Sequence, residues 1–250
     1  MEWYLYPAVI GIGFLAGFIN TLAGGGSALS LPFLIFLGLP VNVANGTNRI
    51  AILLQNAVAT AGFAREKVLD VKKSYILVIA SILGAILGAV IAINLNETLM
   101  RRMVGAVLVI VLLLVIFKPD LWLNPKQVIG KNSNPYISFI IFFLIGAYGG
   151  FIQIGTGFFL LAGLVLVEKM DLIRSNAMKV FLTLVYTPLA LLVFILNKQV
   201  DYKWGLILAL GNMLGAWAGT KVAVSWGTKF IRWVLIVALS GSALKLFGVF

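Results

Sequence analysis

The stretch GFLAGFINTLAGGGSALSLPFLIFLGLPVNVANGTNRIA at residues 13–51 decides the architecture. An apolar run ends in Gly24, Gly25 and Gly26, a short apolar segment follows, and a polar cluster from Asn45 to Arg49 then opens a further apolar run. Broken backbone is tolerated at membrane depth only where protein or a water-filled cavity covers it. The pattern predicts a broken helix beside a buried site.

The rest of the chain fits that environment. Of its 250 residues 62% are hydrophobic and 11% charged, with a mean hydropathy of +1.08. A soluble domain carries about a quarter charged residues, so the composition predicts an all-α polytopic membrane protein. The formal charge of +11 comes from Lys and Arg clustered between apolar runs, as membrane orientation requires, and nucleic-acid binding is not expected. Cys and His are both absent. That removes disulfides, thiolate nucleophiles, imidazole bases and the usual transition-metal ligands, so no metal and no cofactor is expected. The first apolar run begins beside Glu2 with no basic segment ahead of it, which reads as an uncleaved first span.

Ten apolar segments follow one another at 4–22, 26–38, 45–64, 74–95, 99–117, 136–152, 157–168, 175–197, 203–222 and 229–250. Most approach the ~20 residues that cross a bilayer as a helix. Segments 26–38 and 157–168 are short, and each follows a glycine-rich break, AGGGS at 23–27 and IGTG at 154–157. Eight to ten transmembrane segments are expected. A Pro- and Lys-containing linker at 118–135, placed in the cytoplasm, divides a first transmembrane repeat at 1–117 from a second at 136–250.

The halves align at an offset of about 130 residues. Gly17–Phe18 recurs as Gly150–Phe151, Asn45 and Arg49 as Ser175 and Lys179, KVLDVK at 67–72 as KQVDYK at 198–203, and Gly84, Gly88 and Ala92 as Gly211, Gly215 and Gly219. Four matches in one order indicate an internal duplication. Twelve Lys and Arg lie in the connections at 65–73, 118–134, 168–174 and 221–232, against five on the other side. The positive-inside rule makes the first group cytoplasmic and turns both termini outward. Five segments per repeat is an odd number, so the two repeats are expected to be inverted, as in secondary transporters built around broken helices.

Arg49 and Lys179 are cations inside apolar segments, where no acidic side chain lies. Helix starts are expected at ANGTNR (44–49) and RSNAMK (174–179), where unpaired N–H groups and the helix dipole favour an anion. Asn45, Thr47, Asn48 and Arg49 from one half, with Ser175, Asn176 and Lys179 from the other, then supply donors for a compact oxyanion. The breaks add Asn20, Thr21 and Ser27, and Gln153 and Thr156, next to glycine backbone that a ligand can approach closely. Read singly, Asn45 is equally a helix cap, and the cations have an interfacial reading that is the weaker of their two. Their recurrence together with the breaks favours the site.

The segment 13–51, and GAYGGFIQIGTGFFLLAGLVLVEKMDLIRSNAMKVF at 146–181, resemble the two repeats of the sulfite exporter TauE/SafE family, also called the 4-toluene sulfonate uptake permease family. The resemblance covers essentially the whole chain. It implies an inner-membrane carrier of sulfite or small organosulfonate anions, with functional positions at Gly24, Gly25, Gly26, Asn45, Gly46, Thr47, Asn48 and Arg49, and at Gly155, Thr156, Gly157, Asn176 and Lys179. The second helix start reads Asn-Ala-Met where the first reads Gly-Thr-Asn, which predicts unequal half-sites and an asymmetric anion. Its partners are then a small sulfur-containing anion and membrane lipid, and a homodimer is left open. The alternatives are an anion channel and a membrane-embedded lipid-phosphate enzyme. The second lacks acid–base groups at the site, because every Asp and Glu falls in a loop or at an end.

Overall fold

The computed structural model describes residues 3–22, 24–69, 71, 74–117 and 134–225. All regular structure among them is helical: α1 Leu5–Leu22, α2 Ser27–Phe36, α3 Val41–Arg65, α4 Tyr75–Ile93, α5 Glu97–Phe117, α6 Pro135–Phe151, α7 Thr156–Leu166, α8 Leu172–Leu196 and α9 Tyr202–Ser225. Nine of the ten expected segments are helices. The tenth, 229–250, and the linker through 133 lie outside the described residues.

Helices α1, α4, α8 and α9 are long and apolar enough to cross a membrane. Their outward faces carry rows of exposed apolar side chains at helical spacing: Leu83, Leu87 and Val90 on α4, and Leu206, Leu210 and Leu214 on α9. Such rows face hydrocarbon rather than water, and the chain is an all-α, multi-pass membrane protein. α2 and α7, of 10 and 11 residues, rise about 15 Å, half the hydrocarbon thickness.

Two tight helix pairs flank a central pair. α1 lies along α9 and α4 along α6, while α3 packs on α8 and α9, and α8 on α3 and α4. Glycine makes the outer pairs. A Cβ on Gly84 or Gly88 would run into the backbone of α6 at Phe143 and Ala147, and one on Gly211 or Gly215 into α1 at Ile10 and Phe14. Between helices in a membrane, close backbone approach supplies the van der Waals contact that water would otherwise help to enforce.

Two helix starts differ from expectation. α3 begins at Val41 after Pro40, and α8 at Leu172 after Asp171, whose side chain accepts from Arg174 N–H (3.0 Å). Asn45 and Ser175 therefore sit past the first turn. Ser175 N–H is already bonded to Asp171 C=O at 2.8 Å, and Ala44 N–H to Pro40 C=O at 2.8 Å. An Asp cap is a usual start signal, and Pro40 stands at the residue just before α3. The polar cluster downstream masks them.

The far ends of α3 and α8 match in detail. Lys67 and Lys198 both take φ 57°, with Lys67 N–H on Ala64 C=O and Val68 N–H on Phe63 C=O, as Lys198 N–H is on Ile195 C=O and Gln199 N–H on Phe194 C=O. This is a left-handed helix cap, a position at which glycine has no steric cost. The two caps lie 131 residues apart (198 less 67). Because a non-glycine residue there costs about 1–2 kcal/mol, Lys198→Gly is expected to stabilise the protein by about 1 kcal/mol, read as a higher thermal midpoint in detergent.

Candidate functional site

Each glycine break turns through left-handed backbone, Gly24 at φ 91° in the first and Gln153 and Gly155 at φ 66° and 70° in the second. The breaks touch. A Cβ on Gly24 would meet the Gly157 backbone, and one on Gly157 the Gly24 backbone, so only glycine at both places lets the half-helices close on each other. Asn20 ties the first break to α3: its Oδ1 accepts from Gly26 N–H (3.0 Å) and its Nδ2 donates to Gln55 Oε1 (3.2 Å), which also accepts from Asn212 Nδ2 of α9 (3.3 Å).

The two buried cations have different and specific partners. Lys179, 2% exposed, donates from Nζ to the carbonyls of Asn20 (2.8 Å) and Thr21 (3.1 Å), at the C-terminal end of α1. Arg49, 0% exposed, donates from Nη1 to Gly149 C=O (3.2 Å) and from Nη2 to Gly150 C=O (2.5 Å) and Phe151 C=O (3.5 Å), at the C-terminal end of α6. Its guanidinium also lies 4.6 Å from the centre of the Phe194 ring, and Asn45 Nδ2 adds a bond to Phe151 C=O at 2.8 Å. A helix C-terminus presents unpaired carbonyls and a partial negative charge. Each cation thus caps a broken helix of the other half of the chain, which supplies the compensation that no acidic side chain among the described residues provides.

Between the breaks and the central helices lies a small cavity. Its walls are Asn20, Gly24 and Ser27 from the first break, Gln153, Thr156 and Gly157 from the second, Ile52, Gln55 and Asn56 from α3, and Lys179, Thr183 and Tyr186 from α8. Measured over the centres of water-sized guests it holds about 20 Å³, room for one or two waters. Thr156 Oγ1, Tyr186 Oη and Gln153 Oε1 are buried without a hydrogen-bond partner. Lys179 has a third N–H beyond its two carbonyl bonds. The cavity therefore combines one ammonium with unsatisfied hydroxyls, a donor set suited to a small anion.

Of the residues singled out from sequence, Asn20, Gly24, Ser27, Gln153, Thr156, Gly157 and Lys179 line this cavity. The others have neighbours elsewhere. Gly26 packs on α1 at Ala16, and Gly46 on Gln199 C=O. Thr47 Oγ1 accepts from Asp201 N–H (2.8 Å), Asn48 Oδ1 accepts from Ser30 Oγ (2.7 Å), and Ser175 Oγ donates to Met170 C=O (3.4 Å). Gly155 makes the second turn, Gly25 C=O accepts from Ala28 N–H (3.0 Å), and Thr21 and Asn176 are buried with Thr21 Oγ1 and Asn176 Oδ1 unpaired. Arg49 is not among the lining residues.

Tyr186, Thr183, Ile52, Gln55 and Asn56 were not among the residues expected at the site. Their signal was helical spacing: Lys179, Thr183 and Tyr186 share one face of α8. The caps also reset the register between halves. At the 131-residue spacing Gln55 answers to Tyr186, Ile52 to Thr183, and Asn45 to Asn176, and all but the Ile52 and Thr183 pair are polar or aromatic on both helices. The same spacing sets Lys179 opposite Asn48, and Arg49 opposite Val180. The two cations are 130 apart and one step out of that register, and of the two only Lys179 lines the cavity.

Arg49→Met removes three bonds to the α6 carbonyls and the charge that offsets the dipole. Buried acceptors left unpaired cost about 1–3 kcal/mol each. The thermal midpoint should fall by about 10 °C, measured in detergent, with Arg49→Lys recovering part of the loss because an ammonium keeps the charge without the fork.

Residues 9–246 match the family model described as Sulfite exporter TauE/SafE. The chain is 28% identical over 247 residues to a probable membrane transporter protein of Sinorhizobium, covering 98% of this chain and 94% of that one. It is 25% identical to a probable membrane transporter protein of Haemophilus influenzae, over 90% and 88% of the two chains. Against the probable membrane transporter protein YfcA of Escherichia coli K12 it is 26% identical, over 96% and 90%. No solved structure matches. With one family model spanning nearly every residue of a multi-pass helical chain, the protein belongs to the sulfite exporter TauE/SafE family of membrane transporters, and its role is transport rather than catalysis.

Proposed function

We propose that this chain is a secondary carrier of the inner membrane that exports sulfite or small organosulfonate anions by alternating access, with the anion held between two inverted repeats of five segments and both termini outside. The observation that carries the reading is the cavity at the meeting of the two breaks, whose lining combines Lys179 with the unpaired hydroxyls of Thr156 and Tyr186. The repeat arrangement draws support from packing that is unchanged when the halves are exchanged: α1 on α9 answers to α4 on α6, and α3 on α9 to α4 on α8.

The size of the cavity supports a carrier over an open channel. A sulfonate head group is larger than the one or two waters the space holds, which favours a protein that rearranges around its anion. With the cytoplasm negative, each negative charge that leaves gains about 2.3 kcal/mol per 100 mV. Export then runs downhill without a proton relay. In proteoliposomes, clamping the potential with potassium and valinomycin should change the initial flux of sulfite strongly, and a pH gradient at constant substrate ionisation should change it little. The reverse pattern, or flux that does not saturate, counts against this reading.

A further inference from the structure

The carbonyls that hold Lys179 are the kind that hold metal ions in other broken-helix carriers. Where a membrane helix stops at mid-depth, its C-terminal end and the unwound backbone after it present oxygen atoms that coordinate sodium. Here Asn20 C=O and Thr21 C=O, in the last turn of α1, take an ammonium at 2.8 and 3.1 Å. The matching helix end in the other half, on α6, is filled by the guanidinium of Arg49. The cavity that Lys179 lines is also lined by side chains that carry oxygen: Ser27, Gln55, Gln153, Thr156 and Tyr186. Gln153 Oε1 and Thr156 Oγ1 are buried and unpartnered.

We propose that Lys179 is the tethered occupant of a monovalent-cation seat made by the Asn20 and Thr21 carbonyls and the oxygen groups of the cavity, and that it replaces a coupling ion, so this carrier works without sodium. An ammonium on the chain supplies the positive charge that a free ion would bring with each cycle. It offsets the α1 dipole and stays in place when the anion leaves. Removing the side chain at Lys179→Ala leaves the seat open, lined by hard oxygen atoms that suit an alkali or ammonium ion. The consequence for flux rests on the transport reading above, whereas the seat itself does not.

Thermal unfolding of the purified full chain in detergent tests the seat without any transport measurement. Salts of sodium, potassium, ammonium and N-methyl-D-glucamine are compared at one ionic strength. The unaltered chain should melt at the same temperature in all four. Lys179→Ala should melt about 5 °C lower in N-methyl-D-glucamine chloride and regain most of that in at least one small cation. Lys179→Met, whose unbranched side chain fills the seat without charge, should melt low in every salt. The proposal is overturned if sodium raises the midpoint of the unaltered chain, if Lys179→Ala melts alike in all four salts, or if neither Lys179→Ala nor Lys179→Ser folds in any of them. In proteoliposomes, a more than tenfold loss of anion flux when sodium gives way to N-methyl-D-glucamine overturns the sodium independence alone. Absence of saturable anion flux under every condition would instead count against the transport reading and leave the melting result to decide the seat.

Discussion

Lys179→Met is expected to lower the affinity for sulfite or a small sulfonate about a hundredfold, whereas Arg49→Met on the folded protein should leave it within a few fold. Both substitutions remove a buried cation from a helix C-terminus, and both should lower the thermal midpoint. Only Lys179 borders the cavity. A hydrogen bond to a charged group contributes about 1.5–3 kcal/mol, and a hundredfold in affinity corresponds to about 2.7 kcal/mol, so loss of the one ammonium facing the anion accounts for the size of the effect. Titration calorimetry on monodisperse protein separates the cases, since each variant is compared on its folded fraction. Equal loss of affinity in both would return Arg49 to a shared anion site.

The fold was legible because it rests on signals that repeat. Glycine breaks ahead of short apolar segments, small residues at four-residue spacing and apolar runs of spanning length all have direct physical causes in a bilayer, and nine segments became helices within a few residues of their expected limits. The helix starts at Val41 and Leu172 were less legible. There the decisive residues, Pro40 and Asp171, act through backbone geometry and a single side-chain bond, while the polar cluster just downstream gives a stronger apparent signal.

The site was half legible for a related reason. Cations, breaks and their recurrence pointed to the region where the two breaks meet, and seven of the chosen residues line the cavity there. Sequence could not show what compensates a cation, because the partners of Arg49 and Lys179 are backbone carbonyls about 100 and 159 residues away. Nor could it set the register. An offset that pairs Arg49 with Lys179 satisfies chemistry, but the caps at Lys67 and Lys198 require one residue more, a rotation of about 100° around the helix. That rotation brings Gln55 and Tyr186, rather than the two cations, into equivalent positions.

The contact between the breaks gives the second large effect, and four glycines separate its two causes. Gly11 has open space where a Cβ would stand and no left-handed φ, Gly38 has open space but φ 94°, Gly157 has no left-handed φ but lies against Gly24, and Gly24 has both φ 91° and the Gly157 backbone beside it. Alanine at Gly11 should leave flux and stability unchanged. At Gly38 it should cost about 1 kcal/mol of stability through φ alone, with flux retained. Gly157→Ala has to push the half-helices apart, because the obstructing atoms are backbone rather than a flexible side chain, and flux should fall more than tenfold. Gly24→Ala combines both costs and should abolish flux. Initial rates in proteoliposomes, normalised to folded protein, give the order Gly11, Gly38, Gly157, Gly24. If Gly38→Ala instead harms flux as much as Gly157→Ala, backbone strain rather than closure of the breaks controls transport.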